Sequence, residues 1–274
     1  MDIARCTANR VIYTAFEFSQ LHPTDLSHMR RLLRCPECNG QAFFRRSSRN
    51  RGAPCFGARP HADDCRLATQ DYVRPDDEVG ESQVGIPCPP ARIVVDFSYG
   101  APTQWEPVGA VEGGTVRSHL GTIGTTAGQS AGVVQRRLGS LLRMLIKNPD
   151  LASSNQILEI FGKQIAAKNM LVPLLDVSER HEGCHLLFYG MLSDARYDSS
   201  YSGRQLWLNG GGGNNASFCI QADHVDHFLC RYRAAGLEDF AGAYALIFGR
   251  LRFSQSGKPY CIVDDPDYVA LRLT

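Results

Sequence analysis

At 274 residues, with 43% hydrophobic and 21% charged residues and a formal net charge of +1, the chain has the make-up of a folded globular protein. That length suits one large domain or roughly two to three small ones. No stretch approaches the ~20 apolar residues of a membrane span, and the opening Met-Asp-Ile-Ala-Arg-Cys lacks the apolar core of a signal peptide. A cytoplasmic protein with no membrane partner is therefore expected.

Residues 11–18 are rich in β-branched and aromatic side chains and read as a strand. Residues 23–33 follow as a short capped helix that leads into Cys35-Pro36-Glu37-Cys38. Cys55, His61 and Cys65 come next, so five metal-type donors lie within about thirty residues, and four suffice to close a tetrahedral site. Four of Cys35, Cys38, Cys55, His61 and Cys65 are expected to hold a structural Zn2+. The last ligand pair is open between Cys55 with Cys65 and His61 with Cys65. A redox role for the CxxC would need a thioredoxin-like setting that is not evident here. The remaining cysteines, Cys6, Cys88, Cys184, Cys219, Cys230 and Cys261, occur singly and read as buried free thiols.

Between the ligands, residues 43–51 carry Arg45, Arg46, Arg49 and Arg51 beside Phe43 and Phe44. Residues 1–66 hold eleven arginines against six acids, so the +1 total conceals a basic N-terminal part. A zinc-braced arginine loop points to phosphate contacts. Residues 71–90 turn acidic and proline-bearing and are read as a linker.

Residues 93–97 form a buried-strand candidate, and residues 106–131, rich in Gly, Ser and Thr, read as a loop. From 133 to 147, Val134, Leu138, Leu141, Leu142, Leu145 and Ile146 recur at helical spacing, ending at Asn148-Pro149. Residues 154–168 suggest a second helix. Beyond Gly183 the pattern becomes short strands at 185–192, 204–208 and 217–221, then a helix around 225–235 or 237–240. Strands at 243–253 and 260–263 flank a turn at 254–259. Gly190 and Gly249 lie inside strands, where glycine suggests a bulge or tight bend.

This order of elements over residues 183–274, with its two glycine-bent strands, is similar to an OB-fold, a five-stranded Greek-key barrel with a helix between its third and fourth strands. That resemblance implies binding of single-stranded nucleic acid. By the period of two, Leu246, Phe248, Arg250 and Arg252 share one strand face, and Trp207 faces away from Leu206 and Leu208. Trp207, Phe248, Arg250 and Arg252 are thus expected to line a base-stacking groove.

The Cys35/Cys38 pair, the basic stretch and the later Cys55-Phe56-Gly57-Ala58-Arg59-Pro60-His61 group resemble the zinc modules of competence-protein CoiA-like sequences. In those proteins the module is coupled to a restriction-type nuclease. That nuclease needs a lysine two residues after an acid, whereas Leu145, Phe161, Ala166 and Ser256 precede Lys147, Lys163, Lys168 and Lys258 at that spacing. The resemblance therefore carries the zinc module alone. A His-x-Glu upstream of the CxxC, as zinc deaminases require, is missing, as is a P-loop. The run at residues 210–213 reads as a flexible glycine loop, Asp264, Asp265 and Asp267 as a polar turn, and His224/His227 as a pair without a third ligand.

The sequence thus predicts an α+β protein, with a zinc-binding module at 1–70, a linker at 71–90, a strand-plus-helices section at 91–182 and an OB-like barrel at 183–274. A non-catalytic role is expected: binding single-stranded nucleic acid, DNA before RNA, as an accessory factor in a larger nucleic-acid-processing or defence complex. The alternative is a protein–protein adaptor in which module and barrel dock partner proteins.

Overall fold

The computed structural model describes residues 1–46, 53–62, 64–68, 92–97, 132–198, 204–212 and 216–273. The expected linker at 71–90, the expected loop at 106–131, Cys88, Arg49 and Arg51 lie outside the described residues.

The N-terminal part opens with strands β1 (Ile3–Cys6) and β2 (Ile12–Thr14), followed at once by helix α1 (Ala15–Ser19). The single strand expected over 11–18 is therefore cut at Thr14. There a capping box forms: the Thr14 hydroxyl accepts from the Glu17 N–H while the Glu17 carboxylate accepts from the Thr14 N–H. Helix α2 (Pro23–Met29) starts on a proline at its first position, where the missing N–H costs nothing. Strand β3 (Leu33–Arg34) joins a sheet in the order β2-β1-β3, and β4 (Ala42–Arg45) pairs antiparallel with β5 (Cys55–Ala58). Phe18, Phe44 and Phe56, all buried, meet edge-to-face or tilted at 5.0–5.5 Å and close a small separate core.

The middle part is more β-rich than the helical spacing suggests. Strands β6 (Arg92–Asp96) and β7 (Val133–Arg137) run parallel, so the helix expected from 133 begins only at α3 (Leu138–Lys147). Pairing with β6 overrides the local helical period at 133–137. The second expected helix, 154–168, is instead a hairpin: β8 (Ile157–Ile160) and β9 (Lys163–Ala166) are joined by Phe161-Gly162, with φ of +49° and +77°. Two consecutive positive φ values make the mirror-image turn that matches strand twist. Helix α4 (Ala167–Met170) then leads to β10 (Leu171–Pro173). The four strands lie in the order β7-β6-β8-β9.

Strand β11 (His185–Asp198) is long and serves two neighbours: its first half pairs antiparallel with β14 (Tyr244–Arg250), its second half with β12 (Gln205–Gly210). Gly190 holds φ +150°, and its missing side chain leaves room for Leu174. Strand β13 (Ser217–Ile220) pairs with β12 and precedes helix α5 (Ala222–Arg231). After β14, one residue, Leu251, separates it from β15 (Arg252–Phe253), which turns back into β16 (Pro259–Val263). Strand β16 lies parallel to β13, and β17 (Val269–Arg272) pairs with β14. With β10 beside β11, these make one mixed eight-stranded sheet rather than the five strands expected. At Gly249 the thiol of Cys261 fills the space a Cβ would need, so this glycine permits a close approach of β16 to β14.

One large core joins the middle and C-terminal parts. Leu141, Leu142 and Leu145 of α3 pack with Ile247 and Val269 of the sheet, all buried. No helix among the described residues is long and apolar enough to cross a membrane.

Candidate functional site

The turn after β3 brings the first ligand pair together. Cys35 N–H donates to the Gly40 carbonyl and Asn39 N–H to the Cys35 carbonyl, with Asn39 at φ +58°. Asparagine tolerates that left-handed conformation, and the loop so formed is a two-cysteine knuckle. Gly40 is required next, because the Pro60 carbonyl occupies the place of its absent side chain. The chain returning from β5 through Arg59-Pro60 thereby delivers His61, and Cys65 follows.

Cys35, Cys38, His61 and Cys65 place one ligand atom each within 4.8 Å of all the others. Cys35 Sγ lies 3.7 Å from Cys65 Sγ, and Cys38 Sγ lies 3.4 Å from His61 Nδ1. A tetrahedral ion with Zn–S of ~2.3 Å and Zn–N of ~2.0 Å has ligand-to-ligand edges of roughly 3.5–3.8 Å. Donor set and spacing both fit a metal ion and are compatible with zinc. Of the two open ligand pairs, the geometry takes His61 with Cys65. Cys55 stands opposite Arg45, three rows along the hairpin from the Ala42–Ala58 pair that abuts the knuckle. At ~3.4 Å per residue that is about 10 Å away.

The protein also prepares the sulfurs. Burial works to raise the Cys38 thiol, but backbone N–H groups of Ala62 and Gly40 donate to it and hold it down at about 6. Burial pushes Cys65 up to about 12, with Cys38 and Cys35 adding to the rise. A metal ion bound among these sulfurs would displace the proton that Cys65 otherwise keeps. The Glu37 carboxylate accepts from Leu67 N–H at 3.2 Å, tying the last ligand's loop back to the knuckle.

The arginines around this centre are largely engaged within the protein. Arg45 donates from Nε and Nη2 to the Ala241 carbonyl, at 3.0 and 2.7 Å, and Arg59 to that of Gly242 at 3.3 Å. Arg30 forks onto both carboxylate oxygens of Glu238 at 3.2 Å and onto the Phe44 carbonyl at 2.9 Å. Arg31 forks onto Asp194 at 2.8 and 3.2 Å. Phe43 packs on Met191 and Ala241, in the gaps left by Gly57 and Gly242. Arg45, expected to reach phosphate, is thus a strut between the zinc-type module and the turn that leads into β14. Arg46 keeps an exposed side chain. The glycine run is part of the same joint: Gly212 N–H donates to the Arg31 carbonyl at 2.8 Å, and Gln41 fills the space beside Gly211.

No family model matches the chain. Comparison with curated proteins gives no match either.

The outward face of the C-terminal sheet can be read from its register. Asp194, Asn209, Ser217, Tyr260 and Arg252 form one cross-strand row, and Arg196, Trp207, Cys219 and Ile262 the next. Leu206 and Leu208, on the opposite face, are fully buried, as the alternation around Trp207 requires. The row nearest the module is a closed polar network: Asn209 donates to Asp194 at 2.6 Å and Ser217 to Asn209 at 2.7 Å. Although burial opposes ionisation of Asp194, Arg31 and Asn209 hold its carboxyl below the usual range. Tyr260, farther along this row, and Trp207, in the next, approach at 6.4 Å, both half-buried, flanked by exposed Arg252 and Arg196. Burial pushes the Lys258 amine down to about 8, helped by the charges of Arg31 and Arg196. Arg31, Arg196 and Lys258 therefore act on one another here, and the acid among them, Asp194, is already forked by Arg31.

Phe248 sits elsewhere, 6% exposed among Phe97, Phe161, His185 and Tyr268, and shares no ring contact with Trp207 among the described residues. Arg250 is exposed, its Nε donating to the Gly183 carbonyl. Arg31, Asp194, Arg196, Lys258 and Tyr260 were not singled out from the sequence. Extending the period of two from Trp207 to the neighbouring strands would have found Arg196 and Tyr260. The Arg31–Asp194 pair spans 163 positions and leaves no local signal. Among the single cysteines, Cys6, Cys219 and Cys261 are buried, but Cys184 and Cys230 are exposed. Asp265 caps the turn before β17, accepting from Asp267 N–H, so this acid group is a polar turn.

Proposed function

We propose that this chain is a non-catalytic zinc protein that binds single-stranded nucleic acid, DNA before RNA, as an accessory factor in a larger nucleic-acid-processing complex. The observation that carries the reading is the Trp207/Tyr260 pair flanked by Arg196, Arg252 and Lys258 on one strand face. Aromatic faces stack on bases without regard to sequence, and the cations track the backbone. The strand pairings support an OB-like barrel beneath that face. They run from β11 through β12, β13, β16 and β15, which continues from β14, itself paired with β11. In chain order helix α5 falls between β13 and β14, the third and fourth strands of this cycle. In such barrels the second and third strands and the turn between the last two form the binding surface. Here those are β12, β13 and the turn bearing Lys258. The ion held by Cys35, Cys38, His61 and Cys65 is read as structural Zn2+, since four protein ligands leave no open position.

Fluorescence anisotropy with labelled oligonucleotides tests the reading. Trp207→Ala should weaken single-strand binding about 10- to 100-fold, from the 1–3 kcal/mol that a stacked base contributes. Arg196→Ala with Arg252→Ala should flatten its salt dependence. Absence of salt-dependent affinity for every single strand tried would sink the proposal. The adaptor alternative has its own support: Val11, Ile12 and Phe16 are 44%, 51% and 69% exposed on the N-terminal module. Phe16→Asp abolishing partner capture, with oligonucleotide binding undisturbed, would favour it.

A further inference from the structure

The tip of the β8–β9 hairpin carries a feature that packing alone does not call for. Phe161 occupies the first position of a two-residue turn at φ +49°, where Asn or Gly would sit without strain, and its ring is 65% exposed. Strained positions held by bulky residues concentrate at binding sites. The ring lies nearly parallel to that of Phe97, at 5.1 Å and 12°, and meets Phe248 and Tyr268 edge-on at 5.8 and 6.2 Å. Three aromatic neighbours therefore fix the ring in place.

Charge lies directly beside this platform. The His185 ring stacks on Phe248 at 6.0 Å and 28°, and His185 is the register partner of Arg250. Arg250 follows Phe248 by two residues on one face of β14, about 7 Å along the strand. A hollow of about 330 Å3 is lined by His185, Gln221, Arg250, Arg252, Ile262 and Asp264. Its two arginines outweigh its one acid, and both are exposed. Arg252 is also the cross-strand partner of Tyr260, which stands against Trp207. The same side chain thus borders the hollow and the Trp207 face.

We propose that Phe161 and the His185/Arg250/Arg252 hollow form a second nucleotide subsite, in which one base stacks on the Phe161 ring and an adjacent phosphate sits between Arg250 and Arg252. The inference rests on the reading of the Trp207 face as a single-strand site and extends it: Arg252 connects the two, so one strand passes over both. Oligonucleotides long enough to span both subsites gain affinity over short ones, and Phe161 supplies that gain.

The experiment compares a fluorescent trinucleotide with a twelve-nucleotide strand by anisotropy, using the full chain. Phe161→Asn is expected to weaken the twelve-nucleotide complex about tenfold and leave the trinucleotide unchanged. It is also expected to raise the melting temperature, since Asn accepts the left-handed turn. Phe161→Trp should keep the long-strand affinity, and Arg250→Ala should lower it. Equal affinities of wild type and Phe161→Asn for the long strand, with Trp207→Ala still impaired, would overturn the second subsite and leave the first. A Phe161→Asn variant that melts lower and loses both lengths equally would assign Phe161 to packing and also overturn it. Failure of wild type to bind either length removes the underlying reading itself.

Discussion

With its carboxylate buried against Arg31 and Asn209, Asp194 can be neither unpaired nor easily protonated. Removing one partner of such a pair typically costs about 3–5 kcal/mol, because the other charge is left without compensation. Asp194→Ala and Arg31→Ala are each expected to destabilise by that order in denaturant titrations, and the double variant by less than the sum. The pH dependence follows from the direction of the shift. Asp194 is held below the ordinary 3.8, so its contribution is present above that value and is lost as pH falls through the folded-state value. Asp194→Asn should remove that acid limb. Lys258 has the opposite chemistry: half its protons are gone at about pH 8, and a bound phosphate would draw them back. Oligonucleotide affinity should therefore fall between pH 7 and 9 in wild type and much less in Lys258→Arg.

At the scale of elements, the knuckle, the β4–β5 hairpin and the return through Pro60 decide which donors meet. Metal analysis of purified variants should find one zinc per chain in Cys55→Ser, and loss of zinc in Cys38→Ser, His61→Ala and Cys65→Ser. The cluster as a set was legible from Cys35, Cys38, His61 and Cys65, because ligand spacing is a local property. The choice of His61 over Cys55 was not, because it depends on the β4–β5 register. The same distinction runs through the fold. Strands β11, β12, β13 and β16 were readable from alternation and turn residues. The β8–β9 hairpin was not, since Phe161-Gly162 is a poor advertisement for its turn, and Val133–Arg137 becomes a strand only beside β6. The Thr14/Glu17 capping box, a Thr-x-x-Glu spacing that the strand reading of 11–18 passed over, marks the true end of β2.

Across the whole molecule, composition suggested an arginine-rich surface, and folding spends several of those side chains on holding two bodies together. Arg31 reaches across to β11, and Arg30, Arg45 and Arg59 to the turn at 238–242 that leads into β14. A long-range ion pair and a backbone carbonyl as acceptor are invisible to charge counting, which is why Arg45 looked like a phosphate contact. Among the described residues a core around Phe18, Phe44 and Phe56 and a larger one spanning α3 and the large sheet result, with the small Phe43–Met191–Ala241 cluster at the joint.

The shared core under α3 bears on how the chain unfolds. Leu141 and Leu145 lie against the same interior as Ile247 and Val269, so the segment from Arg92 onward should melt as one cooperative unit. The metal-braced part has its own interior and should melt separately. Calorimetry is expected to resolve two transitions, with a chelator abolishing the first and moving the second only by the loss of the arginine struts. A recombinant 183–274 piece, deprived of α3, would present bare leucine-lined sheet to water and should collect in inclusion bodies.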